Sequence, residues 1–366
     1  MMFGNGCVSN LPMPLNKQEQ RERHVNCEWV KRKYQMTDGL TIGIDKVCIS
    51  IPFNPPKPCD GQLPKGQTKQ LALAQNNYKK ESLNHINYVR SALRNFGFKT
   101  TRAKPIQGAQ RLDRVGVYTE EDNSYVATVM LGLTYSTPVL SFSFNPSKLT
   151  DYGLDELEAL LTLTLPNHYE GLYTDGVISQ FEFFVDVEGV KVSDLVLLDI
   201  GKRKTTLYKS TTYNGRRGSP LVGTLYDKGA EQGTDHLLTR VEVRVKQREV
   251  TFQQLVESGI SNPFSPFLLV PASALTVVAN EFKCPALVGQ ILQQGLNGGI
   301  KNAQARKAIT KRLAEFVVPW WNPDLLWDEF RKILLGFRPH FIGGGIRESY
   351  SSDFQSVMVQ YGDLRH

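Results

Sequence analysis

The sequence predicts an α+β fold in which two similar antiparallel-sheet halves precede a mostly helical C-terminal region. Three observations predict it. Apolar–polar alternation of period two recurs through the first two thirds of the chain. The order strand, helix, strands, helix is followed by a second run of strands and a helix. The last third changes to the longer period of amphipathic helices.

Taken in order, residues 1–40 are polar without a sustained period and read as a flexible N-terminal arm. A strand follows, with Val47, Ile49, Ile51 and Phe53 alternating with Cys48, Ser50 and Pro52. Pro55, Pro56, Pro58 and Pro64 make the next stretch a loop. A helix over 71–96 sets Ile86, Leu93 and Phe96 on one stripe and stops at Gly97. Strands are expected at 115–119, 125–134 and 139–144, and Asp151 caps a helix over 154–164. The second half repeats the order, with strands at 178–188, 204–214, 220–228 and 237–247 and a helix over 251–258. The two halves fall at about 41–170 and 175–250, a catalytic unit of 41–250 in all, and 251–366 forms the helical region. There a helix over 303–316 carries Ala305, Ile309, Leu313 and Phe316 on one face. Asn322 as N-cap and Pro323 behind it open another, which carries Leu326, Phe330 and Leu334. The run Gly343, Gly344, Gly345 reads as a hinge before a loose tail, and Trp320, Trp321 and Trp327 read as core or interface residues.

Composition narrows the function. The chain has 366 residues, 41% of them hydrophobic and 22% charged, with a net charge of +7. That excludes a disordered or polybasic protein and fits a globular one with a positive surface. No apolar run is long enough to span a bilayer and no secretory leader is read, so the expected setting is the cytoplasm, without a membrane. The five cysteines include no C-x-x-C pair, which argues against a disulfide framework or zinc finger. None of the six histidines forms an H-x-H pair, which removes a paired-histidine metal site. His236 reads as a loop residue.

Two strands carry candidate chemistry. In the first, Phe181, Phe183, Val185 and Val187 face the core, and Glu182, Asp186 and Glu188 share the other face. In the second, Val241, Val243 and Val245 face inward, and Arg240, Glu242, Arg244 and Lys246 outward. Were the strands neighbours, their carboxylates would meet on one open face, as a hard divalent cation requires. Alternating charges also simply solvate an antiparallel sheet, and the pattern alone favours that reading. Between the strands, Lys202, Arg203, Lys204, Lys209, Arg216, Arg217 and Lys228 face Asp227 alone, interleaved with Tyr208, Tyr213 and Tyr226. Cations beside aromatics suit a phosphate backbone with unpaired bases; an exposed basic hairpin is the plainer alternative. Further on, Arg306, Lys307 and Lys311 lie opposite the apolar stripe of the 303–316 helix, either as a solvated face or as a contact for duplex DNA.

Three segments carry a resemblance: Thr212-Tyr213-Asn214-Gly215-Arg216-Arg217-Gly218-Ser219, Leu225-Tyr226-Asp227-Lys228-Gly229-Ala230-Glu231-Gln232, and Thr239-Arg240-Val241-Glu242-Val243-Arg244. In order and spacing they resemble the replication initiation factor family: rolling-circle initiators of small plasmids, related relaxases of integrative elements, and initiators of some filamentous phages. Glu182 and Asp186 fall at the acidic positions of that family's upstream strand, and Asn145-Pro146 is also similar. The sequence departs from the pattern at Glu182, where the family has Asp, at Asn214, where it has an aliphatic residue, and at Thr224, where it has Arg.

The resemblance implies a saddle-like, internally duplicated sheet and a homodimer. It implies that Tyr213 attacks a scissile phosphate at a replication origin, leaving a 5′-phosphotyrosine and a 3′-hydroxyl primer. Tyr208 and Tyr226 are the competing tyrosines. A phenol ionises only near pH 10 or so and needs cationic help. The resemblance assigns that help to Mg²⁺ or Mn²⁺ held by Glu182, Asp186 and Glu242, to Lys228 at the catalytic centre, and to Arg216, Arg217, Arg240 and Arg244 on DNA phosphates. A host helicase is a further expected partner. A conjugative relaxase with the same chemistry and a non-catalytic DNA-binding regulator on the same fold are the alternatives.

Overall fold

The computed structural model describes residues 33–36, 40–51, 67–95, 100–102, 109–118, 125–134, 137–149, 151–164, 176–201, 203–216, 218–246, 250–257 and 260–336. The N-terminal arm, apart from β1, and the Gly343–Gly345 run lie outside them. The first half contains β1 (Lys33–Met36), β2 (Leu40–Ile51), α1 (Gln67–Asn95), β3 (Thr100–Arg102), β4 (Ala109–Tyr118), β5 (Tyr125–Thr134), β6 (Thr137–Phe144) and α2 (Asp151–Thr164). The second contains β7 (Val177–Glu188), β8 (Leu195–Asp199), β9 (Thr205–Tyr208), β10 (Thr211–Asn214), β11 (Leu221–Asp227), α3 (Lys228–Gln232), β12 (Leu238–Val245), β13 (Val250–Thr251) and α4 (Phe252–Glu257). Then come β14 (Phe267–Pro271), α5 (Ala272–Glu281), α6 (Leu287–Gly299), α7 (Ala303–Ala314) and α8 (Pro323–Gly336). Where the sequence predicts one strand over 204–214, the chain makes a hairpin of β9 and β10.

Twelve of these strands form one antiparallel sheet: ten follow the path β3-β4-β5-β6-β2-β7-β12-β11-β10-β9, while β1 pairs with β2 and β13 with β7. Its order is duplicated. In each half the leading long strand, β2 or β7, pairs with β6 or β12, and the strands between run outward as a meander, apart from β8, which pairs with β14. The two first strands, β2 and β7, lie antiparallel to each other and form the seam, from Leu40 opposite Val187 to Ser50 opposite Val177. The fold is therefore α+β, with a large antiparallel sheet and helices concentrated toward the C-terminus.

The helices cover one face of this sheet. Ile86, Val89 and Leu93 of α1 and Leu157, Leu160 and Leu161 of α2 pack with the inward residues of the first half. Under the second half, Phe183 meets Phe330 at 5.0 Å and Trp327 edge-on at 5.7 Å, and Phe264 stacks on Phe330. Trp321 is buried and donates its indole N–H to the Phe267 carbonyl at 3.0 Å, so the tryptophans near the chain's end are core residues. Asn322 caps α8 by accepting from the amides of Asp324 and Leu325, each at 3.1 Å. β14 pairs with β8 in a two-stranded ribbon whose second face packs on α5, α6 and α7. The C-terminal region thus shares its core with the second half of the sheet. No helix among the described residues is long and apolar enough to cross a membrane. With the helices on one side, the other face of the sheet is left to carry polar side chains.

Candidate metal centre and nucleophile row

On the open face, β7 and β12 are neighbours: Arg244 stands opposite Glu182, Glu242 opposite Phe184, and Arg240 opposite Asp186. The third carboxylate comes from across the seam. Between the pairs Ile44–Phe183 and Lys46–Glu182, β2 carries one extra residue, Asp45. This β-bulge gives two β2 residues to one on β7 and turns Asp45 toward the open face. One ligand oxygen each from Asp45, Glu182 and Glu242 lies within 4.8 Å of the others. Asp45 is held in place by Asn145 Nδ2 and Ser147 Oγ, each donating to its Oδ1 at 3.2 Å. Asn145 opens the short 3₁₀ turn Pro146–Lys148 just after β6. The Asn-Pro pair that stood out in the sequence thus orients a carboxylate of the other strand.

The electrostatics of the cluster follow from crowding. Burial first, then the charges of Glu182 and Asp45, push the Glu242 carboxyl up to about 7. Glu182 is also raised, again chiefly by burial, against the opposing pull of Lys46 and Arg244. Three half-buried carboxylates at this spacing repel one another unless protonated or bridged by a cation. The donor set is oxygen only, which suits a hard divalent ion such as Mg²⁺ or Mn²⁺ and not a thiolate- or imidazole-seeking metal.

Two sequence assignments are corrected here. Asp186 is not in the trio. Both of its oxygens accept from Arg240, Nε at 2.5 Å and Nη2 at 2.7 Å, in a buried two-pronged ion pair. Arg240 accordingly is no surface phosphate contact: it is 4% exposed, lies 3.9 Å over the Phe184 ring and reaches Asp45 at 3.6 Å. It is a fixed internal cation under the carboxylates.

Tyr213 stands on the same face. It is opposite Thr224 on β11, and Thr224 is opposite Glu242 on β12, so the three form one cross-strand row. Two strand spacings separate Tyr213 from Glu242, about 10 Å between backbones, with only a threonine between. Tyr213 is 37% exposed. Behind it Asn214 is buried, donating to the Leu197 carbonyl at 2.9 Å and accepting from Thr205 Oγ1 at 2.7 Å. Gly215 follows at φ +117, where a Cβ would sit 2.9 Å from the Leu221 carbonyl oxygen, so the turn needs glycine. These contacts fix the strand end that carries Tyr213.

The rival tyrosines are placed differently. Tyr208 is 64% exposed at the β9–β10 hairpin. Tyr226 donates to Glu242 Oε2 at 3.5 Å, and burial and the nearby Glu242 charge raise its hydroxyl far above the ordinary range. It is a neighbour of the carboxylates rather than a ready nucleophile. Lys228 opens α3, is buried, pairs with Glu231 and lies 5.9 Å from the Tyr226 ring centre. Arg216 is exposed in the turn after β10, where Ser219 closes the loop through its amide and hydroxyl. Arg244 is half-buried beside Glu182, and Arg217 lies outside the described residues. Arg306, Lys307 and Lys311 line a groove of about 440 Å³ between α7, the end of α6 and Ile200, well away from the trio in the fold.

A solved structure similar to this chain is that of a rolling circle replication initiator protein from Geobacillus stearothermophilus. The match covers 81% of this chain and 97% of that one, at 11% sequence identity and a TM-score of 0.32. No family model and no curated protein matches the chain.

Proposed function

We propose that the protein is a site-specific DNA nicking-closing enzyme that initiates rolling-circle replication, with Tyr213 as its nucleophile. The observation that carries this reading is the row Tyr213–Thr224–Glu242, which sets an exposed phenol and a three-carboxylate centre on one open face with a small side chain between them. A phosphodiester seated over Thr224 lies within reach of both ends of the row.

Asp45, Glu182 and Glu242 would hold the cation, Mg²⁺ or Mn²⁺, which supplies charge neutralisation at the phosphoryl oxygens when bound. Arg216 and Arg244, both on the Gly215–Val222 side of the row, orient the phosphate. The Tyr213 oxygen forms a bond to phosphorus as the bond to the 3′ oxygen breaks. The phenolic proton is lost, and the departing 3′ oxygen takes one up to become the primer hydroxyl. The tyrosyl phosphodiester conserves the bond, so the reverse attack by a 3′-hydroxyl reseals the strand. Lys228, tied to Glu231 beneath Tyr226, positions that edge of the site. The groove of Arg306, Lys307 and Lys311 provides a second contact for the flanking duplex.

The test is cleavage of supercoiled DNA carrying the protein's own origin, with Mg²⁺ or Mn²⁺, comparing the native protein with Tyr213→Phe. The expected result is relaxed circles and a covalent adduct on a 5′ end, both absent from the variant. Equal cutting by Tyr213→Phe would overturn the assignment of the nucleophile. Binding without cutting by both proteins would favour a DNA-binding regulator.

A further inference from the structure

Each carboxylate of the trio is held by side chains that carry no charge. Asn145 and Ser147 donate to Asp45 from the turn after β6. Gln180 stands two residues before Glu182 on the same face of β7, and its Nε2 donates to Glu182 Oε1 at 2.5 Å. Tyr226 pairs with Arg240, one outward position along from the Thr224–Glu242 pair, and so lies diagonal to Glu242. A long side chain spans that diagonal, and the Tyr226 hydroxyl donates to Glu242 Oε2 at 3.5 Å. In each of the three carboxylates these donors meet a single oxygen; on Asp45 both reach Oδ1. A cation at the cluster takes one oxygen from each residue, so an oxygen held by a donor leaves its twin for the ion.

Contact through an amide or a hydroxyl fixes the direction of a carboxylate without cancelling the charge that draws a divalent ion. The buried cation beside the cluster, Arg240, is committed to Asp186 through two hydrogen bonds. The Tyr226 ring is itself held. Lys228 lies over it with Nζ 5.9 Å from the ring centre, and Lys228 is buried and tied to Glu231. The ring is half-buried, so its hydroxyl needs an acceptor, and Glu242 supplies it. Phenylalanine would fill the same space and leave Glu242 without its donor.

We infer that Tyr226 and Gln180 are positioning residues of the metal centre, acting through Glu242 and Glu182, and that they set its preference for a small divalent ion over a large one. A small ion such as Mg²⁺ or Mn²⁺ demands near-fixed ligand directions, whereas Ca²⁺ accepts a looser and more variable set. The inference rests on the trio being the cation site of the proposed function, and it holds whether or not the protein cuts DNA.

Mn²⁺ binding by the full-length protein without DNA is followed by loss of the free-ion electron paramagnetic resonance signal, and Ca²⁺ binding by its competition with Mn²⁺. The work is done at about pH 8, where the Glu242 carboxyl, raised to about 7, has given up its proton. Tyr226→Phe and Gln180→Leu are each expected to weaken Mn²⁺ binding about 10- to 100-fold. Ca²⁺ should weaken less, so the ratio of Mn²⁺ to Ca²⁺ affinity narrows, because a carboxylate free to swing suits the larger ion. Tyr208→Phe, at an exposed tyrosine, should bind both ions as the native protein does. Native Mn²⁺ affinity in Tyr226→Phe and Gln180→Leu, or an equal loss of both ions, overturns the inference. A protein whose Mn²⁺ affinity depends on Tyr226 yet never nicks would keep the inference and remove the nicking reading. Nicking through Tyr213 with native Mn²⁺ affinity in both variants would do the opposite.

Discussion

The two halves of the sheet share one strand order and hold up different chemistry. On the open face of the second half stand Glu182, Glu242, Tyr213 and Tyr226; on that of the first stand Cys48, Ser143, Thr128 and Tyr125. The cores beneath are alike, built from inward Val, Ile and Phe against helices. The duplication therefore provides two platforms of similar build, and their outward residues differ in chemistry. At the seam the halves cooperate, where Asp45 from the first completes the cluster of the second.

Substitutions in the second half should be far more costly than their counterparts in the first. The largest expected effect is on catalysis. Glu242→Gln removes a ligand from the trio, and nicking should fall roughly a thousandfold, because charge neutralisation by a bound cation is worth several kcal/mol. Ser143→Ala, its counterpart on the last strand of the first half, should leave nicking within about twofold, as surface-type changes do. Initial rates on supercoiled DNA compare the two, and equal losses would break the contrast.

Next in size is stability. Asp186→Asn strips Arg240 of its buried partner, and urea denaturation should show a loss of about 3–5 kcal/mol. Arg114→Ala, whose guanidinium is exposed, should cost within about 0.5 kcal/mol. Asn145→Ala should weaken the thermal shift produced by Mn²⁺ about 10- to 100-fold in apparent affinity, since Asp45 loses an orienting donor while keeping its carboxylate. Unchanged Mn²⁺ affinity would detach the Asn-Pro turn from the site.

The smallest effect is a pH dependence. Glu242 is raised in the folded protein from 4.5 to about 7, so between these values the folded state holds more protons than the unfolded. Cation-free stability should therefore decline as pH rises through that window, by an amount of the order of 2 kcal/mol. Glu242→Gln should flatten the profile. A native profile that climbs over the same window would show that the cluster is not crowded as described.

Much of this was legible in the residues. Alternation around Glu182 and Glu242 gives the face of each, the strand pairing brings them together, and the glycine turn behind Tyr213 marks the strand end. Asp45 escaped because the strand was read only from Val47 onward. The signal is a phase shift: Leu40, Ile42 and Ile44 keep one parity, and Val47, Ile49 and Ile51 the other. A change of parity inside a strand is a bulge, and the residue at the break is the one turned outward. Asp186 was misassigned because periodicity gives a face and not a partner. The β8–β14 ribbon was invisible for another reason. Leu195–Leu198 and Phe267–Val270 are continuous apolar runs, buried on both faces, and show no period to read.

The bulge also makes the centre separable from the fold by a single codon. Removing Asp45 would leave Ile44 and Lys46 adjacent, restoring uninterrupted alternation along β2 and keeping Leu40, Ile42, Val47 and Ile49 inward. Such an in-frame deletion should retain the native unfolding free energy in urea to within about 1 kcal/mol and lose cation binding. Under the proposed function, the lineage of such a protein lies one small genetic step from a stable, cleavage-silent DNA binder that competes with its parent for the same target.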